Sequence, residues 1–203
     1  RVVRNPLELV DGHYEINFDD LEKGLSDPRT RIMMLCNPHN PAGREYTEEE
    51  LRRIGELCLK HNVFVLSDEI HGDIVYGGRK HTPFASLDPR FAKFSCTAVN
   101  PSKTFNTAGL RTAAFIAPDP NVKALILEQR MNNKAFGRPV FGALSVKVLY
   151  TQCAYYADEL IAYLEENVHV LEEGLADVKG IRLIKPEATY LLWLDCRELH
   201  LPQ

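Results

Sequence analysis

The stretch Arg31–Gly43, RIMMLCNPHNPAG, runs from an apolar segment directly into a loop that contains two prolines. The residues Ile32–Cys36 are uniformly apolar, which is typical of a strand buried on both faces of a sheet. The Asn-Pro pairs at 37–38 and 40–41 exclude a helix or a central strand, and each proline favours an extended backbone at the preceding asparagine. The stretch therefore predicts a buried strand followed by a rigid, amide-rich loop, from which Gly43 turns the chain away.

Helical and extended patterns alternate around this stretch. Thr47 and Glu50 form a capping-box pattern that opens a helix to about His61, and Asn17 can cap a short helix over Phe18–Ser26. The predicted strands are Arg31–Cys36, Val63–Leu66, Phe94–Val99 and Ala113–Ala117. Strands that alternate with helices predict an α/β fold with a mainly parallel sheet flanked by helices.

The pattern changes in the second part of the chain. It becomes helical from Asn121, and Phe141 to about Leu175 predicts one long helix that can bend. Two strands, Ile181–Ile184 and Thr189–Leu194, follow in a different context. We therefore expect a large domain over 1–140, a connecting helix over 141–175, and the beginning of a small α/β domain over 176–203.

The composition is that of an ordinary globular protein. The 203 residues are 45% hydrophobic and 26% charged, with a formal net charge of −4. We therefore expect neither a nucleic acid nor a membrane as a partner. The five cysteines are scattered and odd in number, and we expect reduced thiols in a cytoplasmic protein. We expect no zinc site, because the pair Cys36 and His39 has no second close pair of ligands.

Polar side chains collect directly after the predicted strands. Asn37–Gly43 follows one strand, Asp68 and His71 follow the next, and Asn100–Gly109 (NPSKTFNTAG) follows the third. In an open parallel sheet, ligands bind beyond the carboxyl ends of the strands. One site can therefore receive amides, a carboxylate, an imidazole, a lysine and hydroxyl groups.

That set of groups suits pyridoxal 5'-phosphate. Lys103 in a sheltered polar pocket can form a Schiff base with an aldehyde. A carboxylate can hold a pyridine nitrogen protonated, and asparagine and histidine side chains can hydrogen-bond the phenolic oxygen of the ring. Ser102, Thr104 and Arg111 can bind a phosphate group.

The motifs NPHNPAG, SDEIH and PSKTFNTAGLR, in this order, resemble those of the fold-type I pyridoxal-phosphate enzymes, the class I/II aminotransferases and their relatives. The resemblance is closest to the cystathionine β-lyase-like, or C–S lyase, branch, and PEATYLLWLD near the C-terminus fits the same branch. It covers nearly the whole chain, and three motifs in order are specific where one alone is weak. It implies a PLP-transferase-like large domain.

The resemblance also implies roles for individual residues. Lys103 corresponds to the lysine that forms the Schiff base, and Asp68 to the carboxylate that pairs with the pyridine nitrogen. Asn40 corresponds to the asparagine on the phenolic oxygen, and His71 holds the position of a tyrosine that shares this role in typical aminotransferases.

Two further positions correspond to phosphate ligands, Ser102 and Arg111. Asn100 departs from the pattern, because a small residue or serine that helps to hold the phosphate is more usual there. Each role has a simpler alternative: Asp68 can cap a turn, His71 can be a structural histidine, and Arg111 can form a surface ion pair.

Three functions are compatible with these motifs. The first is a C–S β-lyase that releases thiol, pyruvate and ammonia. His71 and the PSKTFN motif favour this function. The second is a class I/II aminotransferase, which Arg111 favours. The third is a non-catalytic or regulatory protein on this fold, or an inactive fragment.

The ends of the sequence favour a piece of a longer protein. The chain starts at Arg1 without a methionine and ends with LHLPQ after a strand-like run. Relatives of this kind have a glycine-containing phosphate cradle before this region and a carboxylate-binding arginine after it. We therefore expect weak cofactor binding and poor turnover from the isolated chain. For the full-length protein we expect a homodimer that acts on a small-molecule amino acid.

Overall fold

The computed structural model describes residues 2–135, 137 and 139–200. Its strands are β1 (Leu7–Val10), β2 (His13–Ile16), β3 (Ile32–Cys36), β4 (Phe64–Asp68), β5 (Ser95–Val99), β6 (Ala114–Ile116), β7 (Arg182–Ile184) and β8 (Trp193–Asp195). Its helices are α1 (Phe18–Leu25), α2 (Glu48–Lys60), α3 (Pro89–Lys93), α4 (Pro120–Asn132), α5 (Val140–Gln152) and α6 (Ala154–Leu175). In this part of the chain, no helix has both the length and the apolar composition of a membrane span.

A four-stranded sheet with the order β3-β4-β5-β6 organises the first part of the chain. β3, β4 and β5 run parallel, and β6 runs antiparallel to β5. Cys36 pairs with Asp68, and Asp68 pairs with Ala98, so the carboxyl ends of the three parallel strands lie level. The predicted α/β class with a mainly parallel sheet is confirmed.

Helix α2 packs its apolar stripe into the main core. Leu51, Ile54 and Cys58 are almost completely buried and lie in one cluster with Val63 and Val65. The spacing of these helical residues places them on one face of the helix. The core therefore lies between the sheet and the helices that precede and follow β3.

The prediction that β3 is buried on both faces is wrong. Ile32 is 60% exposed and Met34 is 79% exposed, whereas Leu35 is buried. β3 lies at the edge of the four-stranded sheet, and nothing in the described part of the chain covers the face that carries Ile32 and Met34. An alternating strand pattern is expected where only one face meets the core.

The helix caps form as predicted. The Asn17 side chain accepts a hydrogen bond from the Asp20 N–H at 2.9 Å, and Thr47 and Glu50 form a complete capping box at the start of α2. The Glu50 N–H donates to Thr47 Oγ1 at 3.2 Å, and the Thr47 N–H donates to Glu50 Oε2 at 2.8 Å. These bonds satisfy amides that have no partner within the helix.

Thr47→Ala is expected to lower the free energy of unfolding by about 1 kcal/mol, because the Glu50 amide loses its acceptor. Urea denaturation followed by circular dichroism measures this change. Thr47→Ser keeps the hydroxyl and serves as the matched control. Equal stability of the alanine and serine variants would contradict a contribution from the cap.

The helical part beyond residue 140 differs from the prediction of a single helix. α5 ends at Gln152 and α6 begins at Ala154, because Cys153 has φ −120° and ψ 21°, outside the helical range. The division of the chain into domains at residues 140 and 175 stays a prediction. The first residue of the first predicted domain, Arg1, and the last residues of the third, 201–203, lie outside the described residues.

The predicted strand Thr189–Leu194 is also placed wrongly. The strand that forms is β8, Trp193–Asp195, which pairs antiparallel with β7. The residues before it pair elsewhere: Ala188 forms a bridge with Val75, and the Tyr76 N–H donates to the Glu187 carbonyl at 2.9 Å. Thr189 then turns the chain with φ +71°, which ends this pairing.

Candidate active site

The level carboxyl ends of β3, β4 and β5 bring the predicted site segments to one edge of the sheet. β3 leads into the loop 37–43, β4 leads into Glu69–His71, and β5 leads into the turns at 101–106. The Asn37 N–H donates to the Asp68 carbonyl, and the Glu69 N–H donates to the Ala98 carbonyl, both at 3.0 Å. The structure therefore places the three segments beside one another.

The loop 37–43 is shaped by its own side chains. Asn37 is buried and accepts a hydrogen bond from the Tyr46 N–H at 2.8 Å, which ties the start of the loop to the segment before α2. Both Asn-Pro bonds are cis. Gly43 has φ +70°, and a Cβ there would lie 2.9 Å from the Pro186 Cβ, so only glycine fits this turn. Asn40 lies exposed in the same loop.

His71 is an almost completely buried polar residue of the candidate site. Its side chain is 1% exposed, and neither Nδ1 nor Nε2 has a hydrogen-bond partner among the described residues. Burial lowers the pKa of His71, the charge of Lys103 lowers it further, and the charge of Asp68 opposes them. His71 is therefore a neutral imidazole at pH 7 with both nitrogens available.

The charges of Asp68 and Lys103 both act on this imidazole. Asp68 is the last residue of β4 and is half-buried, and its Oδ1 accepts a weak hydrogen bond from the Ile70 N–H at 3.3 Å. Asp68 thus makes one contact of the kind expected if it caps a turn, which was the simpler alternative for this residue. Lys103 is half-buried between the buried residues Ser102 and Thr104.

The residues predicted for phosphate binding occupy different environments. Ser102 is buried, and its N–H donates to Asn100 Oδ1 at 2.6 Å. Arg111 is exposed with φ +47°, and it forms no ion pair within the described part of the chain. Thr104 donates its hydroxyl to Asp73 Oδ2 at 2.8 Å, so this hydroxyl already has a carboxylate partner.

A buried ionic cluster next to the site was not predicted. His81 Nδ1 lies 2.9 Å from Glu45 Oε1, and His81 Nε2 lies 3.1 Å from Glu69 Oε2. Burial lowers the pKa of His81, but hydrogen bonds to Glu45 and Glu69, together with their charges, outweigh this effect and raise it to about 9. The imidazolium therefore joins the loop after β3 to the segment after β4.

A second ionic contact joins the same loop to the C-terminal segment. Arg44 is 4% exposed, and its guanidinium contacts Glu50 at 2.9 Å and Glu187 at 3.1 Å. The Glu187 N–H donates to the Gly43 carbonyl at 2.7 Å. The sequence carries no local signal for either cluster, because each joins residues that are distant in the chain.

Comparison with known proteins agrees with this geometry. The model of the family "Aminotransferase class I and II" matches residues 4–201. Cystathionine beta-lyase PatB of Bacillus subtilis (strain 168) is 45% identical over 195 residues, which are 96% of this chain and 50% of that protein. Aspartate aminotransferase of Geobacillus stearothermophilus is 27% identical over 191 residues, which are 94% of this chain and 48% of that protein.

A solved structure has the same fold. Cystalysin from Treponema denticola, whose crystal structure contains a pyridoxal 5'-phosphate cofactor, matches with a TM-score of 0.93 and 32% identity. The match covers 96% of this chain and 50% of cystalysin. The chain thus spans about half the length of these relatives. Because the family model covers nearly all of the sequence, the chain belongs to the aminotransferase class I and II family of fold-type I pyridoxal-phosphate enzymes.

Proposed function

We propose that this chain carries the lysine-bearing part of a pyridoxal-phosphate-dependent C–S β-lyase. The cofactor part of this proposal rests on one observation: His71 is buried, neither ring nitrogen has a partner among the described residues, and the charges of Lys103 and Asp68 act on the ring. Buried polar atoms in folded proteins normally have a partner. An unpaired imidazole at the strand ends of a parallel sheet is therefore suited to a polar ligand.

The residues fit the cofactor group by group. The Asp68 carboxylate would hold the pyridine nitrogen, and the Asn40 amide with the neutral His71 imidazole would face the phenolic oxygen. Ser102 and Arg111 would hold the phosphate. When bound, pyridoxal 5'-phosphate supplies an electron sink for negative charge at the substrate Cα.

Lys103 carries out the proton transfers. Its amine accepts the proton from the substrate Cα as a general base. In a β-elimination the Cβ–S bond then breaks and the electron pair leaves with the thiolate. The remaining aminoacrylate reacts with water to give pyruvate and ammonia.

The neutral state of His71 suits this site. A second cation beside Lys103 would disfavour the protonated lysine and would cost free energy in a buried position. A neutral imidazole can donate one hydrogen bond to an oxygen without adding charge. Burial of the ring thus supports a role as a hydrogen-bond donor.

Sequence similarity favours a C–S β-lyase over an aminotransferase. The chain is 45% identical to the cystathionine beta-lyase of Bacillus subtilis and 27% identical to the aspartate aminotransferase of Geobacillus stearothermophilus. Because Lys103 would serve both reactions, the site residues alone do not separate them. An aminotransferase is the alternative that the following measurement tests.

The complete protein that carries this sequence is expected to release pyruvate and ammonia in equal amounts from cystathionine with no 2-oxo acid added. Lactate dehydrogenase coupling measures pyruvate, and a colorimetric indophenol assay, which needs no 2-oxo acid, measures ammonia. A matched reaction with added 2-oxoglutarate is the control. Turnover that strictly requires the 2-oxo acid would replace the lyase by the aminotransferase, and binding of cofactor without either reaction would favour a non-catalytic protein.

A further inference from the structure

No hydrogen bond from the described residues holds the His71 ring. Its two nitrogens are buried and have no partner among the described residues. A hydrogen bond to one nitrogen commonly orients a functional histidine. Packing against neighbouring side chains must therefore set the orientation of this ring.

Tyr190 supplies the aromatic contact to His71. The two ring centroids lie 5.4 Å apart with an interplanar angle of 63°, which is an edge-to-face arrangement. Tyr190 is 40% exposed, whereas His71 is 1% exposed. Tyr190 therefore packs against one side of the buried imidazole, while part of Tyr190 itself is open to solvent.

The backbone before Tyr190 adopts an unusual conformation. Thr189 is completely buried and has φ +71°, which is rare for a β-branched residue. Its N–H donates to the Ile74 carbonyl at 2.9 Å, and its carbonyl accepts a hydrogen bond from the Tyr76 hydroxyl. Residues of this kind persist where the surrounding structure holds them, and they cluster at functional sites.

The partners of Thr189 lie a few residues after His71 in the chain. Ile74 and Tyr76 hold Thr189, and Val75 between them forms a bridge with Ala188. The segment that begins at His71 and the segment that ends at Tyr190 are thus joined by backbone contacts. The left-handed turn at Thr189 brings the Tyr190 ring back onto the His71 ring.

We propose that Tyr190 is a positioning residue that holds the His71 imidazole, through ring packing, in the unpaired state in which it can bind the cofactor. This role rests on the proposed function for its purpose, but the packing itself can be tested without cofactor. The ring of Tyr190 is the required feature, and its hydroxyl is not.

The first test follows His71 by NMR in the complete protein stripped of cofactor, labelled with ¹⁵N at histidine. A His71→Asn variant identifies the His71 signals among those of the other histidines. In Tyr190→Ala, water reaches the ring, and the titration midpoint of His71 is expected to rise by about 0.5 pH unit or more. The charges of Asp68 and Lys103 are the same in both proteins, so they do not produce this rise.

Three variants make the test specific. Tyr190→Phe keeps the ring and is expected to leave the midpoint unchanged, and so is Tyr163→Ala, which removes a 65% exposed tyrosine from α6. If Tyr190→Ala does not fold, Tyr190→Leu is expected to show a smaller rise. An unchanged midpoint in the folded alanine or leucine variant, or equal shifts in the phenylalanine and alanine variants, would overturn the proposal.

The second test measures the dissociation constant of pyridoxal 5'-phosphate by absorbance titration. Tyr190→Ala is expected to raise it by about 3- to 10-fold, and Tyr190→Phe to change it by less than about 2-fold. Equal constants for the alanine variant and the unaltered protein would overturn the link to the cofactor. Failure of the unaltered protein to bind cofactor would defeat the proposed function, while the NMR test would still decide the packing role.

Discussion

Lys103→Ala is expected to abolish covalent attachment of pyridoxal 5'-phosphate and to lower turnover by about 100- to 10,000-fold. The amine of Lys103 is the group proposed to react with the cofactor aldehyde and to take the substrate Cα proton, and loss of a general base has effects of this size. The measurement is borohydride reduction of the cofactor-loaded protein, followed by mass spectrometry of the intact protein and of its peptides. The reduced cofactor should be found on the peptide that contains Lys103.

Lys123→Ala is the matched control. Lys123 is exposed on α4, away from the strand ends, so its loss should leave attachment and turnover unchanged. Attachment that persists in Lys103→Ala, or a reduced adduct on another lysine, would contradict the assignment of Lys103. Poor turnover by the unaltered isolated chain, with attachment intact, would agree with an incomplete site.

His81→Leu is expected to lower the free energy of unfolding by about 3 to 5 kcal/mol at pH 6, because it leaves two buried carboxylates without their cation. The side chains of Glu45 and Glu69 are only 6% and 4% exposed, so water does not replace the imidazolium. Urea denaturation measures the effect. His169→Leu is the matched control, since the pair His169 and Glu173 is 60% and 70% exposed and should contribute less than about 1 kcal/mol.

The same cluster predicts how stability depends on pH. The folded state raises the pKa of His81 to about 9, above the ordinary value of 6.5. The stabilisation is therefore fully present below about pH 6.5 and is lost as the pH rises through 9. The difference between the two pKa values of His81 corresponds to about 3 kcal/mol in the free energy of unfolding. Unfolding free energies measured from pH 6 to 10 should show this loss in the unaltered protein and not in His81→Leu, and the same slope in both proteins would contradict it.

Local patterns predicted much of the fold because they act over a few residues. The capping box of Thr47 and Glu50 and the cap at Asn17 both form, and the parallel strands begin and end within two residues of their predicted limits. The β1–β2 hairpin has a local signal, Asp11-Gly12, at a turn where both residues have positive φ. No strand was predicted on either side of this turn.

Predictions failed where distant residues decide the outcome. An apolar run does not reveal which of its faces will be covered, so the exposure of Ile32 and Met34 could not be read from RIMML. The strand expected from Thr189 onward is shifted, because contacts with Ile74, Val75 and Tyr76 hold Ala188 and Thr189 outside it.

The sequence by itself determined the α/β class, the family and the positions of Asn40, Asp68, His71, Ser102, Lys103 and Arg111 at the ends of strands. These follow from periodicity, capping and short ordered motifs, which are properties of neighbouring residues. Only the tertiary structure decided that His71 is buried without a partner among the described residues, that Tyr190 packs against it, and that His81 joins Glu45 to Glu69. Burial and pKa depend on which distant segments meet, and the physical state of each group is set by those contacts.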